Sequence, residues 1–238
     1  MEIFLHSEAW IALLTLSFLE IILGVDNIIF ISILTNKLPV EIRAKARAGG
    51  IGMALITRII MLLGISWIIA MKAPLFSILD HPVSGRDLVL FLGGLFLIGK
   101  STREIHSKVM GEELHHVPSN GRKNFLSIIF QIALLDIVFS FDSILTAIGM
   151  TEHLIIMIFA VVISLVVMLV FAGRISAFIE KNPTLQMLAL SFLILIGFVL
   201  IADSIDQEIP KGYIYFAVFF SLLVEVLNLR LRKKLNNH

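Results

Sequence analysis

The sequence contains no cysteine, and charged residues make up only 16% of its 238 positions. Without thiols the chain can form neither a disulfide nor a thiolate-bound metal site, and it has no cysteine nucleophile. It also lacks a phosphate-binding loop, a nucleophile elbow and a basic nucleic-acid surface. We therefore expect no enzymatic activity, no resident cofactor, no nucleic-acid partner and no ATP-driven step within this chain.

Apolar residues dominate what is present, at 58% of the sequence with a mean hydropathy of +0.98. This composition is that of a polytopic membrane protein. Seven apolar runs lie at about 9–35, 49–70, 88–99, 124–150, 154–173, 185–202 and 212–228. The third is short for a bilayer, which needs about 20 residues, but Lys100 and Arg103 could snorkel from a helix that continues to about Ile105. The sequence predicts an all-α membrane protein with seven transmembrane helices.

The basic residues are distributed unevenly between the connections. Segments 36–48, 100–123, 174–181 and 229–238 hold fifteen Lys and Arg, whereas the alternate connections hold three, namely Lys72, Arg86 and Lys211. By the positive-inside rule, this asymmetry predicts that the N-terminus lies outside and the C-terminus is cytoplasmic. The basic tail is then expected to contact anionic membrane lipids.

Two of the apolar runs carry acidic residues at the same spacing. Glu20 is followed six positions later by Asp26, and Asp136 is followed six positions later by Asp142. An ionisable side chain near the membrane midplane costs at least about 2.5–3.5 kcal/mol, so it rarely persists without a function or a partner. We predict that helices one and four meet there and form one cation site.

The two motifs are offset by 116 positions, and the same offset takes Arg58 to Arg174. Each half then contains an acidic helix, an Arg-bearing helix and a third helix. Because three is an odd number, the second copy enters the membrane from the opposite side, which gives an inverted three-plus-three repeat with a seventh helix added. The predicted boundaries are 1–106 for the first repeat, 107–123 for a cytoplasmic loop, 124–203 for the second repeat and 204–238 for the seventh helix and basic tail.

Helical geometry constrains how each motif can present its polar groups. Positions i and i+7 share a face, so the first carboxylate of each motif falls with Asn27 or Ser143, whereas position i+6 lies about 120° away. Either each helix is broken, near Gly24 and near Ser140, or the second aspartate faces a neighbouring helix. A break would add backbone carbonyls as ligands.

All the predicted ligands donate oxygen atoms. They are Glu20, Asp26, Asn27, Asp136, Asp142 and Ser143. Oxygen ligands suit hard divalent cations such as Mn²⁺, Mg²⁺ or Ca²⁺, whereas Zn²⁺ and Cu⁺ recruit His, Cys or Met. Closely spaced carboxylates cannot all remain ionised without a cation or a proton, which makes metal–proton exchange a reasonable coupling.

Three further charged residues lie within the apolar runs. Arg58 is a natural counter-charge, which we expect to pair with a carboxylate when the cation has left. Arg174 lies near the cytoplasmic end of its helix and is expected to snorkel outward. Glu225 is expected to pair with the basic tail, although a position on the ion path is an alternative.

These motifs resemble those of the TerC family of integral membrane proteins, in particular its YgdQ/YkoY-like branch. The similar strings are LEIILGVDNIIF at 19–30, LLDIVFSFDS at 134–143 and PKGYIYFA at 210–217. The resemblance implies a LysE-superfamily-like fold and a multi-pass location in the bacterial cytoplasmic (inner) membrane. It further implies manganese export and a metal-handling role for the six motif residues.

The residues alone identify the substrate only as a hard cation. The leading hypothesis is a secondary transporter that exports Mn²⁺ by rocking one repeat against the other. The alternatives are an exporter of another substrate, either Ca²⁺ or an amino acid, and a non-transporting membrane scaffold whose cytoplasmic loop recruits partners. Metal uptake into everted vesicles distinguishes the metal transporters from the scaffold.

Overall fold

The structure is a computed structural model that describes residues 7–78, 81–111, 121–151, 153–207 and 209–235. Within those ranges it describes every side chain except those of Val25, Asp26, Ile78, His81, residues 121–124, Asp142, Lys211 and residues 232–235.

The described chain forms eight helices and one β-hairpin. In order they are α1 (Ser7–Thr35), α2 (Val40–Leu63), α3 (Ile65–Ala70), β1 (Pro74–Ile78), β2 (His81–Ser84), α4 (Gly85–Met110), α5 (Gly121–Met150), α6 (Leu154–Lys181), α7 (Pro183–Asp203) and α8 (Lys211–Leu235). The predicted all-α class is confirmed, with the short hairpin as an addition that the sequence analysis did not foresee.

Six of these helices are long and apolar enough to span a membrane. Their spanning segments are Ser7–Thr35, Val40–Leu63, Phe125–Met150, Leu154–Glu180, Pro183–Asp203 and Gly212–Leu231. Helix α4 has 26 residues but falls outside this group, since its second half carries Lys100, Arg103 and Glu104. Its passage across the membrane, and with it the count of seven spans, stays a prediction.

The apolar run at 49–70 does not form the single helix that we predicted. Helix α2 ends at Leu63, and the N–H of the capping residue Gly64 bonds to the carbonyl of Ile60 at 2.9 Å. Helix α3 and the antiparallel hairpin follow. Glycine is a weak helix former, and Pro74 and Pro82 lack the N–H that a helix interior requires, so this connection cannot remain helical.

The chain divides into two compact units, which do not follow the predicted halves. Met1–Arg86 and His116–Phe178 form the first, and Asp87–His115 and Ile179–His238 form the second. Within the first unit, α5 packs against α2 and α1. Within the second, α8 packs against α7. Each unit thus combines helices from both predicted repeats, and the repeat itself stays a prediction.

The two acidic helices are the most deeply buried spans. In the most apolar window of each span, 62% of the α1 residues and 59% of the α5 residues are buried, compared with 0% in α8. A helix that is apolar on all sides is expected to lie inside a larger protein or membrane bundle. Leu16 and Leu34 of α1 and Leu135 of α5 are almost completely buried. The motif carboxylates therefore lie on interior helices.

Candidate functional site

Three charged side chains from three helices meet inside the first unit. Arg58 of α2 donates from Nε to Oδ1 of Asp136 on α5 at 3.1 Å, and from Nη1 to Oε2 of Glu20 on α1. The exposed fractions of Glu20, Arg58 and Asp136 are 3%, 2% and 4%. One buried guanidinium thus joins the first carboxylate of each acidic motif.

Thr57 adds a fourth polar group to this cluster. Its hydroxyl donates to Oδ2 of Asp136 at 2.8 Å, with the carbonyl of Ala54 at 3.0 Å as a second acceptor. Both oxygens of Asp136 therefore accept a hydrogen bond. Thr57 was not predicted from the sequence, because a threonine hydroxyl within a helix commonly bonds to its own backbone. The sequence signal that could have identified Thr57 is its position next to Arg58, an arginine within an apolar run.

The charges of this cluster do not balance. If Glu20 and Asp136 are both ionised, two negative charges face the single positive charge of Arg58. Burial removes the water that would stabilise the remaining charge, so the imbalance is costly. A proton or a second cation at this position would restore neutrality.

A small cavity lies beside the cluster and has room for about one water molecule. Its polar lining is Asn27, Arg58 and Asp136. The remaining lining residues are Phe30, Ile31, Ile51, Ala54, Ile132, Leu135, Leu165 and Met168. Asn27 is itself buried, at 9% exposure.

Comparison with known proteins identifies the family of this chain. A family model described as the integral membrane protein TerC family matches residues 5–237. The chain belongs to the TerC family.

Two relatives of this TerC family protein have a similar length, and a third is about twice as long. The UPF0053 inner membrane protein YgdQ of Escherichia coli (strain K12) is 52% identical over 231 residues, and a UPF0053 protein of Haemophilus influenzae is 50% identical over 226 residues, with 95% of each chain covered in both cases. The UPF0053 inner membrane protein YoaE of Escherichia coli is 42% identical over 238 residues, which is 46% of its length. No solved structure matches. Together with the six candidate spans, these relatives confirm a multi-pass protein of the bacterial inner membrane.

The six predicted ligands have different places in this TerC family protein. Glu20 and Asp136 share Arg58, and Asn27 lines the adjacent cavity. Ser143 is buried at 4% exposure, with its hydroxyl 3.3 Å from the carbonyl of Ser140 in the same helix.

The other two predicted ligands are the second aspartates of the motifs. The side chains of Asp26 and Asp142 lie outside the described part of the structure, so their role as ligands stays a prediction. Among the side chains that are described, no group of three or more His, Asp and Glu is arranged to hold a metal ion.

The broken-helix alternative is wrong. Helix α1 continues through Gly24, and α5 continues through Ser140. Gly24 instead permits close packing, because a Cβ at this position would collide with Sδ of Met168 on α6. The missing side chain thus leaves space for a methionine that also lines the cavity.

Two buried hydroxyl groups flank the carboxylates. Ser17 precedes Glu20 by three positions, and Ser140 follows Asp136 by four, so each serine shares a helix face with its carboxylate. Neither hydroxyl has a hydrogen-bond partner within the described part of the chain. They are oxygen donors that the sequence analysis did not count as ligands.

Three other charged residues lie in or near the spans. Arg174 is exposed, as expected for a snorkelling side chain. Glu225 accepts a hydrogen bond from Thr184 of α7, and its pairing with the basic tail stays a prediction. Glu104 of α4 is buried and pairs with Lys100 at 3.1 Å. The burial of Glu104 was not predicted from the sequence, because a Lys–Glu pair at i,i+4 is typical of a solvated helix face.

Proposed function

We propose that this TerC family protein is a secondary transporter that exports a hard divalent cation, Mn²⁺, through an acidic site near the membrane midplane. The observation that carries the proposal is the convergence of Glu20 and Asp136 on Arg58, beside a cavity that Asn27 also lines. Ionisable side chains inside membrane proteins are costly and mark ion and proton pathways.

The charge of the cluster supports a cation as the substrate. Two carboxylates face one guanidinium, and Asp26 and Asp142 follow on the same two helices. If both aspartates turn toward the cavity, four carboxylates face one arginine. The site then attracts cations and repels anions, and protons can replace the metal on its carboxylates.

The identity of the donor atoms supports a hard cation that also tolerates a softer donor, a description that includes Mn²⁺. The carboxylates, Asn27 and the two unpartnered serine hydroxyls all offer oxygen, which suits hard cations. Met168, whose thioether is a softer donor than oxygen, lines the same cavity. A single soft donor among oxygen ligands favours a transition metal over Mg²⁺ and Ca²⁺.

The rest of the proposed mechanism follows from the predicted topology. Seven spans, an inverted repeat and a LysE-superfamily-like fold would place the site between two halves that rock against each other. In the predicted orientation the basic loops lie on the cytoplasmic side, so export moves Mn²⁺ from that side to the outside. Exchange for protons would supply the driving force, because the sequence contains no nucleotide-binding motif.

Transport by the purified protein in proteoliposomes tests the proposal. We expect Mn²⁺ to enter faster than Mg²⁺, Ca²⁺ or Zn²⁺ when each is supplied alone, and the Mn²⁺ rate to rise when the vesicle interior is acidic. Everted membrane vesicles, whose cytoplasmic face is outward, should accumulate Mn²⁺. If the wild-type protein moves none of the four cations, the transporter proposal is wrong.

Variants of the two remaining motif aspartates test their place in the site. We expect Asp26→Asn and Asp142→Asn each to lower the initial rate of Mn²⁺ transport by about tenfold or more, since each removes a charged ligand. Glu225→Gln is the matched control, because Glu225 is a carboxylate within a candidate span whose partner is Thr184. Wild-type rates in both aspartate variants would remove these residues from the ligand set.

A further inference from the structure

Arg58 occupies the carboxylate oxygens that a transported cation would need. Its Nε lies 3.1 Å from Oδ1 of Asp136, and its Nη1 contacts Oε2 of Glu20. The hydroxyl of Thr57 takes the other oxygen of Asp136, at 2.8 Å. A divalent ion that binds these same oxygens therefore competes with the guanidinium for them.

We propose that Arg58 is a tethered substitute cation, which together with a counter-transported proton neutralises the metal-free site and so allows the metal-free transporter to change its orientation. The inference rests on the proposed transport function. A guanidinium is always charged and only donates hydrogen bonds, so it competes with a metal ion for carboxylate oxygens. When the metal leaves, the arginine returns to both carboxylates, and the site does not cross the membrane with two uncompensated negative charges.

Removing this positive charge should have two opposite effects. The freed oxygens should bind Mn²⁺ more tightly, because the internal competitor is gone. The metal-free site, by contrast, should become too negative to change orientation, so the metal-free transporter cannot return. Net transport requires this proton-carrying, metal-free form to return, whereas exchange of Mn²⁺ for Mn²⁺ uses only the metal-loaded form. Net transport should therefore be lost while exchange persists.

The position of Arg58 distinguishes this role from a general contribution of arginine side chains. Arg58 is buried at 2% exposure between α1 and α5, whereas Arg174 is exposed on α6. Arg174→Gln therefore makes the same chemical change away from the carboxylates and is the matched control. Arg58→Lys keeps the charge but offers one compact ammonium in place of the planar guanidinium.

The experiment compares two transport assays on reconstituted full-length protein. Radioactive Mn²⁺ is supplied either to metal-free vesicles, which reports net transport, or to vesicles preloaded with unlabelled Mn²⁺, which reports exchange. For Arg58→Gln we expect net transport to fall by about tenfold or more and exchange to stay within about twofold of wild type. We also expect Mn²⁺ to bind several-fold more tightly in an equilibrium titration with Mn²⁺ alone. Arg174→Gln should match the wild type in all three measurements.

Each alternative outcome has a definite meaning. Wild-type net transport in Arg58→Gln would overturn the inference and leave the proposed function intact. Loss of both assays in Arg58→Gln, with an active wild type, would also overturn it, because Arg58 would then be needed to build the site. If Arg58→Gln does not fold, Arg58→Lys decides. If Arg58→Lys retains net transport and exchange in the wild-type ratio, the charge role is supported. If Arg58→Lys loses net transport but keeps exchange, the charge role is contradicted. Inactivity of the wild type in both assays would instead refute the proposed function.

Discussion

At the scale of single residues, a guanidinium between two carboxylates stabilises charges that the membrane interior would otherwise exclude. Removing one member of a buried pair costs about 3–5 kcal/mol, because the remaining charge stays buried without compensation. Glu20, Arg58 and Asp136 are therefore expected to stabilise the first unit in addition to forming the candidate site. Transport by variants in this cluster should be compared at equal amounts of folded, monodisperse protein.

The proposed preference for Mn²⁺ over Ca²⁺ can be tested at Met168. Its side chain lines the cavity beside Asp136, and it packs against α1 at Gly24. We expect Met168→Leu, which keeps the volume and removes the sulfur, to reduce the ratio of Mn²⁺ to Ca²⁺ transport rates by about fivefold or more. The physical reason is the loss of the one soft donor at the site. Parallel rate measurements with each ion provide the ratio.

Met157 is the matched control for this substitution. It is also buried on α6, at 2% exposure, but does not line the cavity. Met157→Leu should leave the ratio unchanged. An unchanged ratio in Met168→Leu as well would mean that the thioether does not select the ion.

The central charges of the site and Asn27 could be predicted from the sequence, whereas Thr57 and Met168 could not. Glu20, Asp136 and Arg58 stand out because a charge in an apolar run demands a partner. Thr57 and Met168 are ordinary residues in an apolar helix, and only the packing of α2, α5 and α6 in the first unit brings them to the carboxylates or the cavity. Periodicity did link Asn27 to the face of Glu20, since seven residues complete nearly two helical turns.

At the scale of elements, α4 and α7 approach each other closely through two glycines in the second unit. A Cβ at Gly94 would lie 2.5 Å from the carbonyl oxygen of Gly197, and one at Gly197 would lie 2.8 Å from the carbonyl oxygen of Gly94. Small residues at such contacts allow helix backbones to pack tightly in membranes. The nearest obstructing atom at each glycine belongs to the backbone, so a rotamer change alone cannot accommodate a side chain here.

Substitution of Gly94 tests this contact. We expect Gly94→Ala to lower the free energy of unfolding by about 1–3 kcal/mol, because the new methyl group overpacks the interface. Unfolding in increasing mole fractions of a denaturing detergent measures the change. Gly99→Ala on the same helix is the control, since no described atom lies within 4 Å of a Cβ there, and it should be neutral or slightly stabilising. Equal stability of the two variants would contradict the close contact.

The continuity of helices was harder to predict than their existence. The apolar runs located every long helix, but hydropathy cannot distinguish a glycine that ends a helix from one that packs within it. Gly64 ends α2, whereas Gly24 lies inside a continuous α1 and packs against Met168. The difference depends on the tertiary neighbours of each glycine, which a single sequence does not contain.

At the scale of the whole molecule, the predicted topology depends on whether α4 crosses the membrane. Its 26 residues give a length of about 39 Å at 1.5 Å per residue, which is enough for a bilayer core of about 30 Å. Its charged second half nevertheless separates it from the six apolar spans. The inverted repeat and the opposite locations of the two termini both require that it crosses.

The absence of cysteine makes this test simple, because single cysteines can be introduced without background labelling. Lys72 and Ser119 flank α4 in the sequence. We expect a membrane-impermeant maleimide to label Lys72→Cys in intact spheroplasts and Ser119→Cys only after permeabilisation. Labelling of both positions from the same side would contradict the crossing of α4 and the predicted count of seven spans.

Equilibrium binding of Mn²⁺ to the purified protein tests most directly whether the two acidic helices share one cation site. We expect the wild type to bind Mn²⁺ at one site, and Glu20→Gln and Asp136→Asn each to weaken that binding by about tenfold or more, although they lie on different helices. Glu225→Gln should bind as the wild type does. Unchanged Mn²⁺ affinity in folded Glu20→Gln and Asp136→Asn proteins would show that these carboxylates do not form the site.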